Sequence, residues 1–266
     1  MSSGKLAKVS DHPYQVLIEN SKAGLCAGII VAPHYVITTI NCARSTQDPR
    51  VIIRSGSSYW GRGGSQHQIE GFIEHQHWDG LFDNNLAVIR VKQPFRYGKF
   101  REPAALPDQG EEIQSSNFTT IVNVTGWGLV HANGQLQGKL TPVNQLHVLP
   151  LIIMSDNECQ KQNPKFKPRK EICAINVDRR VGTVCLGDYG DPLVIDGRVF
   201  GILNWHHTKC DGKRPSGYLK IAHYRGWINK HIEYSIDELA DTGDDDDMLV
   251  FSMRIFTCYA FRRLVG

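Results

Sequence analysis

The chain is 266 residues long, 41% hydrophobic and 21% charged, with 5 Trp, 9 Tyr and 10 Phe. That much apolar and aromatic side chain supports a sizeable core, which excludes a disordered chain and a peptide-scale disulfide scaffold. Thirty Lys and Arg against 27 Asp and Glu leave a net charge of +3, too weak a field to mark a nucleic-acid binder.

Taken in order, the chain reads as short strands, among them Tyr14–Ile18, Ala27–Val31, Tyr35–Thr39, Gln68–Ile73, Leu86–Val91, Gln145–Ile153, Pro192–Ile195 and Val199–Trp205. Most are rich in Val, Ile, Thr or aromatic residues, and Gly, Pro, Asn or Asp punctuate them. No internal repeat and no alternation of strand with helix is visible, so the pattern predicts an all-β sandwich or barrel. Ile221–Ile232 is the best helix candidate, with Ile221, Trp227, Ile228 and Ile232 as its apolar face. Residues 235–266 change character: they hold seven acids, four of them in the run Asp244–Asp247, and three bases, Arg254, Arg262 and Arg263. Residues 1–234 then carry 27 bases and 20 acids, or +7. The tail reads as a flexible extension rather than a membrane-surface segment, because its helical moment is weak and its bases are few.

Seven cysteines stand at positions 26, 42, 159, 173, 185, 210 and 258, with no CxxC pair. Zinc ribbons and thioredoxin-type motifs are therefore disfavoured. Six spaced cysteines and a leftover Cys258 read as three disulfides of a secreted protein, so an extracellular location is expected. The first 25 residues hold no sustained apolar run, hence no legible signal peptide, and a trimmed or incomplete gene product is the expected reason. No stretch of about 18 uncharged apolar residues marks a transmembrane helix.

Three local patterns occur in one order: Cys26-Ala-Gly-Ile-Ile-Val with Tyr35-Val-Ile-Thr-Thr-Ile-Asn-Cys42, Asp83-Asn-Asn-Leu-Ala-Val-Ile89, and Cys185-Leu-Gly-Asp-Tyr-Gly-Asp-Pro-Leu-Val194. Pro13-Tyr-Gln-Val16, Thr125-Gly-Trp-Gly128, Asn204-Trp205 and Tyr224-Arg-Gly-Trp-Ile228 accompany them. Together they resemble the chymotrypsin/trypsin-like serine proteases (peptidase S1) over about residues 1–234. The resemblance implies two packed six-stranded antiparallel β-barrels with a cleft between them and a C-terminal helix. It places an N-terminal barrel at about 1–105 and a C-terminal barrel with the helix at about 106–234. It also implies the bridges Cys26–Cys42, Cys159–Cys173 and Cys185–Cys210.

The same resemblance implies a catalytic constellation, and the residues at its positions do not fit the chemistry. A hydrolase of this type needs a hydroxyl nucleophile, an imidazole base and a carboxylate to orient the imidazole. The base position is Asn41, whose amide has no proton affinity near neutral pH. The carboxylate position is Asn85, and the nucleophile position is Tyr189, a phenol only about 0.1% ionised at pH 7 without a base. Gly187 matches an oxyanion donor, but Asp191 replaces a glycine and is expected to bring a carboxylate towards the developing negative charge. The pocket is altered as well: Thr183 stands at its base, His206 replaces a small residue after Asn204-Trp205, and Ser216 replaces a glycine, changes expected to narrow it. Active relatives bury a new amino terminus against the aspartate matched by Asp188. Here Met1-Ser-Ser-Gly4 is a poor match to that terminus, leaving Asp188 either a retained structural acid or an exposed relic.

Other candidates are weaker. His75-Gln-His77 and His206-His207 lack metal-ligand spacing, and no metal or cofactor is indicated. A rebuilt acid–base site could pair His206 or His207 with Asp191 or Asp211. Lys161, Lys165, Lys167, Arg169 and Lys170, with Arg179-Arg180 nearby in sequence, could form a weak anion-binding surface, although a solvated loop is the simpler account. Asn117-Phe-Thr119 is a glycosylation triplet in an expected loop, and Asn123-Val-Thr125 a second one expected to be buried. The sequence therefore reads as a non-catalytic serine protease homologue, binding an unidentified protein such as a protease or an inhibitor as cofactor, decoy or regulator. The alternatives are a hydrolase with a rebuilt site and a degenerate gene product.

Overall fold

The computed structural model describes residues 4–19, 26–113, 120–131, 140–142, 144–177, 183–210 and 212–232. Asn117, Arg179, Arg180, Asp211, Cys258 and the 235–266 extension lie outside the described residues, and so do the expectations attached to them.

Sixteen strands and three α-helices are described. Through the first half run β1 (Lys5–Leu6), β2 (Gln15–Glu19), β3 (Cys26–Ala32), β4 (Tyr35–Thr38), α1 (Ile40–Ser45), β5 (Ile52–Ser55), β6 (Ser65–His67), β7 (Ile69–Glu74) and β8 (Ala87–Val91). The second half supplies β9 (Ile121–Gly126), β10 (Leu129–His131), β11 (Leu140–Pro142), β12 (His147–Ile153), α2 (Asp156–Gln162), β13 (Glu171–Asn176), β14 (Pro192–Ile195), β15 (Arg198–Trp205), β16 (Ser216–Lys220) and α3 (Ile221–Ile232). The first sheet has the order β6-β5-β2-β3-β4-β8-β7. Its two edge strands, β6 and β7, are separated only by Gln68, so the sheet curls until its edges are consecutive pieces of chain. In the second sheet, β9 pairs with both β12 and β14, closing a six-stranded ring. The chymotrypsin-like double barrel is therefore present.

One boundary differs from the sequence reading. Lys5 and Leu6 pair with Val148 and His147 of β12, so β1 belongs to the second sheet and β2 to the first. Two residues with no alternation gave no sign of that pairing.

Period-two alternation explains how the barrels both fill and pack. Ile30, Val36 and Ile89 point into the first barrel, while their neighbours Ile29, Ile37 and Val88 face outwards and meet Val199, Ile202 and Leu219 of the second. Strands buried on both faces read as continuous apolar runs rather than alternating ones. Helix α3 joins this interface through Ile221, Tyr224 and Ile228, a helical i, i+3, i+7 stripe. Each buried aliphatic contributes on the order of 2 kcal/mol.

Short helices start where capping residues allow. The Thr39 side chain accepts from Cys42 N at the start of α1, and Ser155 accepts from Glu158 N at the start of α2. The three implied disulfides are formed, with Cα–Cα distances of 5.8 Å for Cys26–Cys42, 6.2 Å for Cys159–Cys173 and 5.3 Å for Cys185–Cys210.

Candidate functional site

The strand β4 runs into α1 at the edge of the first barrel, and Asn41 stands exposed on the first turn of that helix. Its neighbours are pinned. Cys42 is buried and bridged to Cys26, and Ile40 N donates to Asn85 Oδ1 at 2.9 Å. Asn85, itself buried just before β8, donates from Nδ2 to Asn204 Oδ1 at 3.0 Å. Asn204 passes the chain on, donating from Nδ2 to Glu171 Oε1 at 2.8 Å and to Phe82 O at 2.8 Å. Glu171 Oε1 also accepts from Trp205 Nε1 at 2.8 Å, and Oε2 accepts from Lys167 N at 3.0 Å. Burial raises the Glu171 carboxyl above its ordinary value, opposed by the donors from Lys167, Asn204 and Trp205.

The loop that resembles a nucleophile turn seats against the first barrel. Ala27 N donates to Tyr189 O at 2.8 Å, and Gly190, at φ +84°, lies so close to Ala27 O that a Cβ would come within 2.0 Å of it. Only glycine tolerates both that dihedral and that approach. Tyr189 packs partly buried against the core cluster of the first barrel, and its ring lies 5.0 Å from the His206 ring at an interplanar angle of 38°. Burial raises the Tyr189 phenol and lowers the His206 imidazole, the latter offset by its Nδ1 contact with His207 O at 3.1 Å. The structure thus gathers Asn41, Asn85, Tyr189, Asn204, Trp205 and His206 in one region. Among the side chains just described, the one carboxylate is Glu171.

Asp188 and Asp191 are both fully buried on this turn. Asp188 accepts from Gly128 N and Cys185 N, each at 2.7 Å, so it is a structural acid and the exposed-relic reading is corrected. Asp191 is corrected too. Its Oδ1 accepts from Gln15 Nε2 at 3.3 Å, and a Cβ on Gly126 would lie 1.8 Å from its Oδ2. The carboxyl therefore faces the β2–β9 contact rather than the mouth of the site. Desolvation, then the neighbouring Asp188, holds Asp191 well above the usual carboxylate range.

The pocket residues are closed in. Thr183, Ser216 and Trp205 are 6%, 3% and 7% exposed. The Trp205 ring lies over Gly217, 2.1 Å from where a Cβ would sit. Ser216 Oγ bonds Tyr218 OH at 3.1 Å. Gly187, at φ +89°, is half-buried beside the exposed Leu186.

Several sequence expectations are redirected. His206 bonds towards His207 O and Asp191 towards Gln15, so they are not an acid–base pair, and His207 Nε2 lies against Arg214. His75 lies tilted against Trp227 at 5.0 Å and edge-on to Tyr224 at 5.6 Å. Among the described residues no three His, Cys, Asp or Glu are grouped to hold a metal, and no helix is long and apolar enough to cross a membrane. In the basic cluster, Lys161 pairs with Glu158, and Lys167 and Lys170 both pair with Asp83, while Lys165 and Arg169 make no ion pair among the described residues. Asn123 is exposed on β9 rather than buried, but Thr125 of its triplet is buried and donates to Gln15 Oε1 at 2.5 Å. Glu171 and Gln15 carry much of this polar framework. Glu171 had no motif to announce it, and Gln15 drew notice only within Pro13-Tyr-Gln-Val16.

Comparison with known proteins agrees with this architecture. The trypsin family model matches residues 1–228. A trypsin of Phaedon cochleariae is 29% identical over 234 residues, covering 86% of this chain and 87% of the relative. Among solved structures, the scabies mite inactivated protease paralogue S-D1 superposes with a TM-score of 0.76 at 23% identity, over 87% of this chain and 97% of that one. Neuropsin, a serine protease expressed in the limbic system of mouse brain, gives 0.73 at 23% identity, over 88% and 100%. From the match over residues 1–228, the chain belongs to the trypsin family of chymotrypsin-like serine proteases, peptidase S1.

Proposed function

We propose that this chain is a non-catalytic member of its family that works outside the cell by binding protein, as a cofactor, decoy or regulator of proteolysis. What supports the reading is chemical: the resemblance assigns Asn41, Asn85 and Tyr189 to the positions of the family's base, carboxylate and nucleophile. Two carboxamides and a phenol whose ionisation burial suppresses supply no base and no activated nucleophile. Asn85 supports it further, since its amide is committed to Ile40 N and Asn204 and has no charge to orient an imidazole.

Fold does not decide the matter, because one similar structure is named an inactivated paralogue and another a serine protease. The residues that the resemblance assigns to the cleft support the non-catalytic reading. A decoy that presents a substrate-like cleft fits poorly with buried Thr183, Trp205 and Ser216 and with Tyr189 stacked on His206. Recognition through exterior loops fits better. Three disulfides agree with an extracellular setting.

The test is hydrolysis of a broad fluorogenic peptide library by the purified, disulfide-intact chain. Turnover no greater than trace-protease controls is the expected result. Turnover that co-purifies with the chain and disappears in His206→Ala overturns the reading in favour of a rebuilt site.

A further inference from the structure

The charges of this chain are not spread evenly. Residues 50–69 and 84–101 contain no Asp or Glu, yet hold eight Arg and Lys. Three of these are matched within the fold: Arg50 pairs with Asp48, Arg54 with the buried Glu19, and Arg90 with Glu70. Arg62, Lys92, Arg96, Lys99 and Arg101 make no ion pair among the described residues.

Two loops of the first barrel bring part of this set together. Ser57 Oγ accepts from Tyr59 N at 2.9 Å and donates to Arg62 O at 2.7 Å, fixing the first loop. The second is a tight hairpin in which Gly98 and Arg101 exchange backbone hydrogen bonds at 2.8 and 2.9 Å. The loops lean on each other: Arg101 Nη1 donates to Ser65 Oγ, and Gly56, at φ +71°, lies against Phe100 O and Arg101 Cγ, each 3.5 Å from where its Cβ would be. On this surface Arg62 stacks 4.3 Å over the Tyr59 ring and Lys99 sits 5.7 Å over Phe100. The rings remain 38% and 48% exposed. Among the described residues, no hydrogen bond, ion pair or ring contact joins this set to Asn41, Asn85, Tyr189 or His206.

We infer that the face formed by Tyr59, Arg62, Lys99, Phe100 and Arg101 is a docking surface for an acidic polypeptide segment that carries apolar side chains among its carboxylates. Unpaired cations held upright over rings are preorganised for carboxylates, which Arg takes bidentately. Exposed rings between them are covered by apolar side chains of the same segment, a match that a uniformly sulfated polysaccharide lacks. The inference rests on the protein-binding reading above and not on the loss of hydrolysis. The peptide library measures turnover and the experiment below measures binding, so either can fail alone.

The experiment is fluorescence anisotropy of a labelled twelve-residue peptide alternating Glu with Phe and Leu, titrated with the full chain at low salt. Its Gln-for-Glu counterpart, a Glu/Ser peptide of equal charge and a sulfated dextran serve as comparisons. Binding of the Glu/Phe/Leu peptide is expected to weaken at least tenfold in Arg62→Ala/Lys99→Ala. It is expected to weaken at least threefold in Tyr59→Ser/Phe100→Ser, and to be unchanged in Lys161→Ala/Lys165→Ala. These side chains are exposed, and an unchanged circular dichroism spectrum shows that each variant is folded. No binding overturns the inference, as does binding indifferent to both surface variants. Sulfated dextran binding that displaces the peptide and ignores the ring variant assigns the face to a polysaccharide instead.

Discussion

Asn85 donates to Asn204 Oδ1 at 3.0 Å while accepting from Ile40 N at 2.9 Å, so both ends of its amide are in use in a buried site. A carboxylate at position 85 keeps the Ile40 bond but sets an acceptor against an acceptor. Turning the Asn204 amide to relieve this breaks its donation to Glu171. Asn85→Asp is therefore expected to destabilise the protein at pH 7 by about 1–3 kcal/mol, the cost of a buried polar group left without its partner. The loss should shrink as pH falls towards about 4 and be gone below it, where the new carboxyl is protonated in both states and can donate in the folded one. Urea unfolding at pH 7 and pH 4 checks this, and equal stability of the two proteins at pH 7 speaks against the polar relay.

Asp191 sets a second pH dependence. Its carboxyl is held well above the usual range by desolvation and by Asp188. From its ordinary value up to its folded value, the folded chain keeps a proton that the unfolded chain has released. The unfolded state then binds fewer protons, so stability falls as pH rises through that window. Below the ordinary value both states are protonated and the penalty disappears. Asp191→Asn keeps the shape and an acceptor for Gln15 but cannot ionise. It is expected to raise the unfolding midpoint at pH 7 and to lose that advantage progressively towards pH 4. Thermal unfolding across this range shows the trend, and a constant difference rules out the linkage.

Much of this arrangement was open to sequence reading, and the parts that were not share a cause. The strands from Tyr14–Ile18 to Val199–Trp205 and the helix Ile221–Ile232 are written in local periodicity, and the structure has them within a residue or two. Asn41, Asn85 and Tyr189 lay in recognisable motifs. Glu171 did not: a lone acid after Lys167–Lys170 reads as solvated, and its burial is settled only when β13 pairs with β16 and Asn204 arrives from β15. Asp191 was seen as a substitution, but its direction depends on Gln15 of β2, 176 positions away. The basic cluster was legible as charge, whereas the pairing of its Lys167 and Lys170 with Asp83 is a long-range contact. Residue type is local information; which charges meet is not.

The cysteine pair on α2 and β13 holds the buried surroundings of Trp205 together. Cys159 and Cys173 pack with Phe166 and Trp205 in one buried cluster, and their bridge closes a 14-residue separation. In the chain-entropy account such a loop is worth about 3 kcal/mol. Cys159→Ala/Cys173→Ala is expected to lower stability by about that amount and to free the 155–171 segment. Limited proteolysis should cut first after Lys161 or Lys165, and Trp205 fluorescence should shift towards that of an exposed indole. Cleavage that begins elsewhere, with unchanged Trp emission, separates this disulfide from the surroundings of Trp205.

Gly126 and Asp191 are adjusted to one another, and a double-mutant cycle measures by how much. A Cβ at Gly126 falls 1.8 Å from Asp191 Oδ2, and the carboxyl is enclosed by Gln15 and the turn from Asp188. Gly126→Ala alone should cost about 1–3 kcal/mol, as other overpacked cores do. Asp191→Gly, which restores the residue the family resemblance expects, removes the obstructing carboxyl and leaves room for the methyl. The double variant should then be more stable than the sum of the single effects predicts, with a coupling of about 1 kcal/mol or more. Additive effects mean that the methyl is accommodated without displacing Asp191. In that case the carboxyl is held by its partners rather than by the glycine beneath it.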